Sequence, residues 1–156
     1  MRKIILALLA ILVLISTSGS FASDNATSGA SIALMKTNDF LKEAINNSGY
    51  MMTVTEFINK NKTEASGWTV VDVRPKEVYA SGHIPAAISI PLADLVDEMK
   101  TIPDGRKIAV YCCSDIDAAF GVMTLRVFAD REAWVLQGGL TAWDNAGMKE
   151  EYSQYK

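Results

Sequence analysis

The stretch Lys107-Ile108-Ala109-Val110-Tyr111-Cys112-Cys113-Ser114-Asp115-Ile116-Asp117-Ala118 decides the fold. Residues 107–111 are a short apolar run with two β-branched members, the pattern of a strand buried on both faces. The polar loop Cys112 to Asp117 follows, and a helical pattern begins at Ala118 and runs to Ala129. The same strand-then-helix order recurs on either side. Trp68-Thr69-Val70-Val71-Asp72-Val73 and Ala87-Ile88-Ser89-Ile90 read as strands upstream, and Ala133-Trp134-Val135-Leu136 as one downstream. Helices are expected from about Leu92 to Lys100 and from Leu140 to Ala146, with Pro103-Asp104-Gly105 forming a turn. Thr53 and Glu56 stand at capping-box spacing at the start of another helix. Repeated β-loop-α units predict an α/β fold whose parallel sheet carries helices on both faces.

In open α/β sheets ligands bind at the carboxyl ends of strands, and Cys112 takes that position directly after 107–111. Backbone amides of residues 113–118, at a helix N-terminus, would lower its pKa and make it a competent nucleophile. A buried strand-end cysteine without reactivity is the alternative that position alone leaves open. Cys113 reads first as a core or helix-facing residue, because neighbouring side chains point apart. Its chemical alternative is a resolving thiol beside Cys112, serving dithiol redox or metalloid chemistry. A vicinal disulfide there would be strained and easily reduced. Asp117 is placed to N-cap the helix expected to begin at Ala118. One histidine (His83) and two cysteines do not supply four zinc ligands, so neither a metal nor a cofactor is expected.

Residues 1–22 carry the marks of an export signal. Met1-Arg2-Lys3 is the positive end, Ile4 to Ile15 is an apolar run of 12 residues, and Ser20-Phe21-Ala22 offers a small-x-small cleavage pattern. Twelve helical residues span about 18 Å against a hydrocarbon core of roughly 30 Å, which favours cleavage after Ala22 over membrane anchoring. The expected location is therefore periplasmic or secreted, with no membrane attachment after cleavage. Loss of Arg2 and Lys3 takes the net charge from −3 to −5. No basic surplus exists to neutralise phosphates, which argues against a nucleic-acid partner. Residues 23–50 read as a leader: a flexible part over 23–31, then a short helix from Ile32 to Ile45 stopped by Asn46-Asn47-Ser48-Gly49. The remainder, 51–156, has the length of one domain, and the whole chain is 49% hydrophobic and 21% charged, as packed domains are.

Three signatures in order resemble the rhodanese-like domain family. They are Val71-Asp72-Val73-Arg74 with Gly82-His83-Ile84-Pro85 and Ile90-Pro91-Leu92, then Val110-Tyr111-Cys112, then Leu136-Gln137-Gly138-Gly139 with Ala142-Trp143 and Gly147. The resemblance covers about residues 51–148 and implies a mainly parallel five-stranded sheet with helices on both faces. It implies a sulfurtransferase in which Cys112 accepts sulfur from a small donor and passes it, as a persulfide, to a thiol acceptor or partner protein. Cys112, Cys113, Ser114, Asp115, Ile116, Asp117 and Ala118 would then form the active-site loop, and His83 would serve the scaffold. The six residues from Cys112 to Asp117 match the loop length of sulfur-transferring members rather than the longer phosphatase loops. The chain departs from the family at two loop positions, where Asp115 replaces a glycine and Asp117 an arginine. A carboxylate there repels an anionic donor and raises the thiol pKa, so free thiosulfate is not the expected donor. A rhodanese-homology binding module without catalysis is the other function that this altered loop leaves open.

Overall fold

A computed structural model describes residues 20–47, 49–64 and 67–148. The expected signal segment over residues 1–19 lies outside these. The chain divides into two units, Met1–Met35 and Lys36–Lys156. In the first unit the described residues are helical and belong to the start of α1 (Ser20–Asn47). Residues 23–31, expected as a flexible leader, are thus helix. Ala26 and Ala30 supply strong helix formers there, and Gly29 is the single breaker. Among the described residues no helix is long and apolar enough to cross a membrane.

The second unit holds a five-stranded sheet, β1 (Met51–Met52), β2 (Trp68–Asp72), β3 (Ile88–Ser89), β4 (Lys107–Tyr111) and β5 (Ala133–Leu136). The strands are all parallel, in the order β1-β5-β4-β2-β3. The four crossovers contain α2 (Val54–Thr63), α3 (Lys76–Ser81), α4 (Leu95–Glu98) and α5 (Asp115–Ala129), and α6 (Gly139–Asn145) follows β5. The Thr53–Glu56 capping box forms as its spacing predicts, each residue's side chain bonding the other's backbone N–H. The helix expected over 92–100 is instead a chain of single turns: 3₁₀ at Leu92–Asp94, α4, then 3₁₀ at Met99–Thr101.

Alternation along the strands divides the core in two. Val71, Val73, Ile108, Val110, Ala133 and Val135 meet Leu95 of α4 and Ala118, Val122 and Leu125 of α5 on one face. Val70, Ala109, Tyr111 and Leu136 meet Phe57 of α2, Ile84 and Trp143 of α6 on the other. This period of two, with both sets apolar, explains the unbroken hydrophobic strands. Trp68 and Trp143 are buried as core aromatics, while Trp134 is half-buried against Trp68 at 5.2 Å between ring centroids.

At the end of β2 the chain buries an ion pair. The Asp72 carboxylate, fully buried, accepts from Arg74 Nε at 2.9 and 3.0 Å, from Nη2 at 2.6 Å and from the Arg74 backbone N–H at 2.9 Å. Arg74 Nη2 also donates to the Gly82 carbonyl at 2.7 Å. Removing one partner of such a pair strands a charge in the core. Arg74→Met is expected to destabilise the domain by about 3–5 kcal/mol, read as a lower denaturant midpoint; a loss below about 1 kcal/mol would show that water already solvates the pair.

Candidate active site

β4 is the middle strand, hydrogen-bonded to β2 on one side and β5 on the other. Its last residue, Tyr111, is fully buried, so Cys112 is held where the sheet ends. The Ile84 N–H donates to Tyr111 Oη at 3.0 Å, and the Arg74 guanidinium lies 5.2 Å from the centre of the Tyr111 ring. Burial, then a hydrogen bond to the Asp72 carboxylate, holds the Tyr111 phenol well above its ordinary pKa. It is neutral at all ordinary pH values and acts as a strut.

Helix α5 begins earlier than its apolar pattern suggests. Ser114 is the N-cap, extended at φ −129° and ψ 136°, and its Oγ accepts from the Ile116 N–H at 3.1 Å. Asp117 is therefore not the cap but a first-turn residue, favoured there with Asp115 by the helix dipole. Ala118, expected in the substrate loop, is fully buried in the core beneath it. Its N–H already bonds the Ser114 carbonyl at 3.3 Å. The cap and the first helical hydrogen bond thus use two of the amides that the sequence offers to an anion.

Asp115 reaches across to the third signature, accepting from the Gly138 N–H at 2.9 Å. Gly139 closes on the loop from the same side. At φ +49°, a Cβ on it would stand 2.7 Å from the Cys112 carbonyl oxygen, so only glycine fits. Ile116 is exposed, and Cys113 is exposed too, not packed in the core or against the helix. The reason is the extended turn into the Ser114 cap, which leaves Cys113 on the solvent side of the strand end.

Cys112 is half-buried and opens into a pocket of about 470 Å³. Val73, Pro75, Pro91 and Leu92 form its apolar wall, and Lys76, Glu77, Asp94 and Asp117 its polar one. All of these except Asp117, which α5 supplies, come from the segments after β2 and β3. Sequence reasoning did not single out Lys76, Glu77 or Asp94, although their places just past strand ends were the available signal. Lys76 is ion-paired with Glu98 at 3.6 Å.

Burial, more than any other cause, pushes the Cys112 thiol above its ordinary pKa. Hydrogen bonds from the Ser114 and Cys113 amides pull it down, and the charges of Cys113 and Asp117 push it up again. The thiol lies 3.8 Å from Asp117 Oδ2, to which it donates. His83 is exposed in its turn, stacked on Tyr79 at 3.8 Å with Nδ1 3.0 Å from the Tyr79 carbonyl.

The parallel sheet, the strand-end thiol and the two facing amides define an α/β domain with a half-buried cysteine at the carboxyl end of its central strand. Residues 53–146 match the Rhodanese-like domain family, and the chain belongs to that family. Over 92 residues it is 40% identical to the HTH-type transcriptional regulator Rv0324 of Mycobacterium tuberculosis, covering 56% of this chain and 39% of that protein. A sulfurtransferase of Allochromatium vinosum is 26% identical over 94 residues, 60% of this chain and 88% of its own length. The crystal structure of the Alr3790 protein from Anabaena sp. superposes with a TM-score of 0.56 at 30% identity, covering 62% of this chain and 87% of that one. The chain spans 39% and 59% of the first two curated relatives it matches, the second being YqhL of Bacillus subtilis.

Asp117→Asn removes one of the charges that raise the Cys112 pKa. Alkylation by iodoacetamide at neutral pH is expected to speed up, with the midpoint of its pH profile moving down. The midpoint should stay above that of a free cysteine, because burial is the larger cause. An unchanged midpoint would remove Asp117 from the electrostatics of the thiol.

Proposed function

We propose that this chain is an exported, rhodanese-type sulfur carrier that holds sulfur as a persulfide on Cys112 and does not use free thiosulfate efficiently. The observation that carries this reading is a half-buried thiol, touched by two amides, facing a pocket with three carboxylates and one ion-paired lysine. The Cys112 thiolate attacks the outer sulfur of a donor. The new Sγ–S bond forms as the donor's own S–S bond breaks, and the remainder leaves with the electron pair. The Cys113 and Ser114 amides then face the persulfide anion. A thiol acceptor takes the outer sulfur in the second step, restoring Cys112.

The doubly anionic thiosulfate meets repulsion from Glu77, Asp94 and Asp117, so a neutral, polysulfide-derived or protein-bound donor suits the pocket better. The export signal read in residues 1–22 supports a location in the periplasm or outside the cell. A dithiol function is the second reading, favoured by one observation: Cys113 is free and exposed immediately beside Cys112.

Mass spectrometry after exposure to polysulfide separates the two readings. Wild type and Cys113→Ser are expected to gain one sulfur, and Cys112→Ser none. Loss of the adduct in Cys113→Ser as well would favour the dithiol, and no adduct in any variant would favour a binding module. Asp117→Arg exchanges a repulsive charge for an attractive one beside the thiol. It is expected to raise the rate with thiosulfate by about tenfold or more. An unchanged rate would count against the electrostatic account of donor choice.

A further inference from the structure

Helix α5 is apolar on nearly every side. Ala118, Val122 and Leu125 fill the core, yet Ile116 and Phe120 stand 69% and 57% exposed on the opposite side. Four residues apart, they lie on one face of the first turns. A helix that is hydrophobic all round is ordinarily buried all round. This one is buried on the sheet side only, so its outer face lacks a cover among the described residues.

The position of that face limits what can cover it. Ile116 lies between Asp115 and Asp117 in the chain, and Asp117 lines the Cys112 pocket with Glu77 and Asp94. Cys113, on the same loop, is exposed. Phe120 is three residues from Asp117, a surface neighbour on the helix, so whatever seats on Ile116 and Phe120 borders the Asp117 side of the pocket and meets its carboxylate. A second copy of this chain would bring like charge against like charge, since the protein is acidic overall and its loop more so.

We propose that Ile116 and Phe120 are the docking surface for a protein acceptor whose thiol sits on a basic segment carrying an apolar side chain. This rests on the reading of Cys112 as a persulfide carrier. The acceptor's apolar residue covers Phe120 and Ile116, and its lysines or arginines face Asp94, Asp117 and Glu77. Its thiolate attacks the outer sulfur of the Cys112 persulfide. The new S–S bond forms as the bond to Cys112 Sγ breaks. The electron pair stays on that Sγ, which takes up the proton the acceptor thiol gave up. One sulfur moves with no net oxidation.

The test loads the full chain with polysulfide and follows sulfur transfer to two synthetic peptides by mass spectrometry. One has a central cysteine flanked by arginines and a leucine; the other has glutamates in place of the arginines. The basic peptide is expected to react with a KM at least about tenfold lower, the advantage shrinking as salt is raised. Phe120→Ser is expected to raise the KM for the basic peptide about tenfold while leaving persulfide loading and transfer to dithiothreitol unchanged. Phe128, 62% exposed, lies eight residues further along the helix, about 12 Å away. Phe128→Ser is expected to match wild type with both peptides. Equal KM values for the two peptides, an equal effect of the two phenylalanine variants, or a wild-type dimer lost in Phe120→Ser would overturn the docking surface. Failure of polysulfide to load Cys112 at all would instead sink the carrier reading beneath it.

Discussion

The buried pair Asp72–Arg74 is the constraint on which the site depends. Asp72 closes β2, Arg74 holds the carbonyl of Gly82, and Tyr111 joins them from the end of β4 while taking the Ile84 N–H. Three chain segments thus meet at one polar knot, at the carboxyl edge of the sheet. The loop after β2, which walls the pocket, and the residue before Cys112 are both tied to it. A fully satisfied network of this kind sets one geometry, because each alternative leaves a polar group buried without a partner. The pocket inherits its shape from that demand.

Above the knot, the thiol is the outcome of opposed effects of similar kind. Burial and neighbouring negative charge hold the proton on Cys112, while two amides favour its loss. Ser114 decides how many amides remain for that task, because its cap consumes the Ile116 N–H. Asp115 and Gly139 then fasten the loop to the turn after β5 through one hydrogen bond and one close backbone approach. The acidic loop is therefore built in two parts. Asp115 is a structural strap whose carboxylate is spent on Gly138, and Asp117 is the carboxylate that the thiol actually meets.

Much of this was legible in the chain. Short apolar runs located four strands, and the Thr53–Glu56 spacing marked the start of α2. The two-residue β1 escaped notice, since two methionines carry no period, and its pairing with β5 exists only through the sheet. Two loop residues were misplaced for a common reason. Asp117 and Ser114 are both good caps by composition, and the backbone path out of β4 chose between them. Ala118 reads as a loop residue when the helix is taken to begin there; starting it at Asp115 turns Ala118 into the core.

Sequence alone determined the class of fold, the place of Cys112 at a strand end and the acidity of its loop, because periodicity and residue type are local properties. Tertiary structure decided the rest. Only the packed sheet brings Glu77 and Asp94 from separate crossovers to the same pocket as Asp117, and sends Asp115 away to Gly138. Only packing separates the half-buried Cys112 from the exposed Cys113. Two adjacent thiols and two nearly adjacent carboxylates are equivalent in composition. They become different in chemistry because burial and hydrogen bonding act on positions in space.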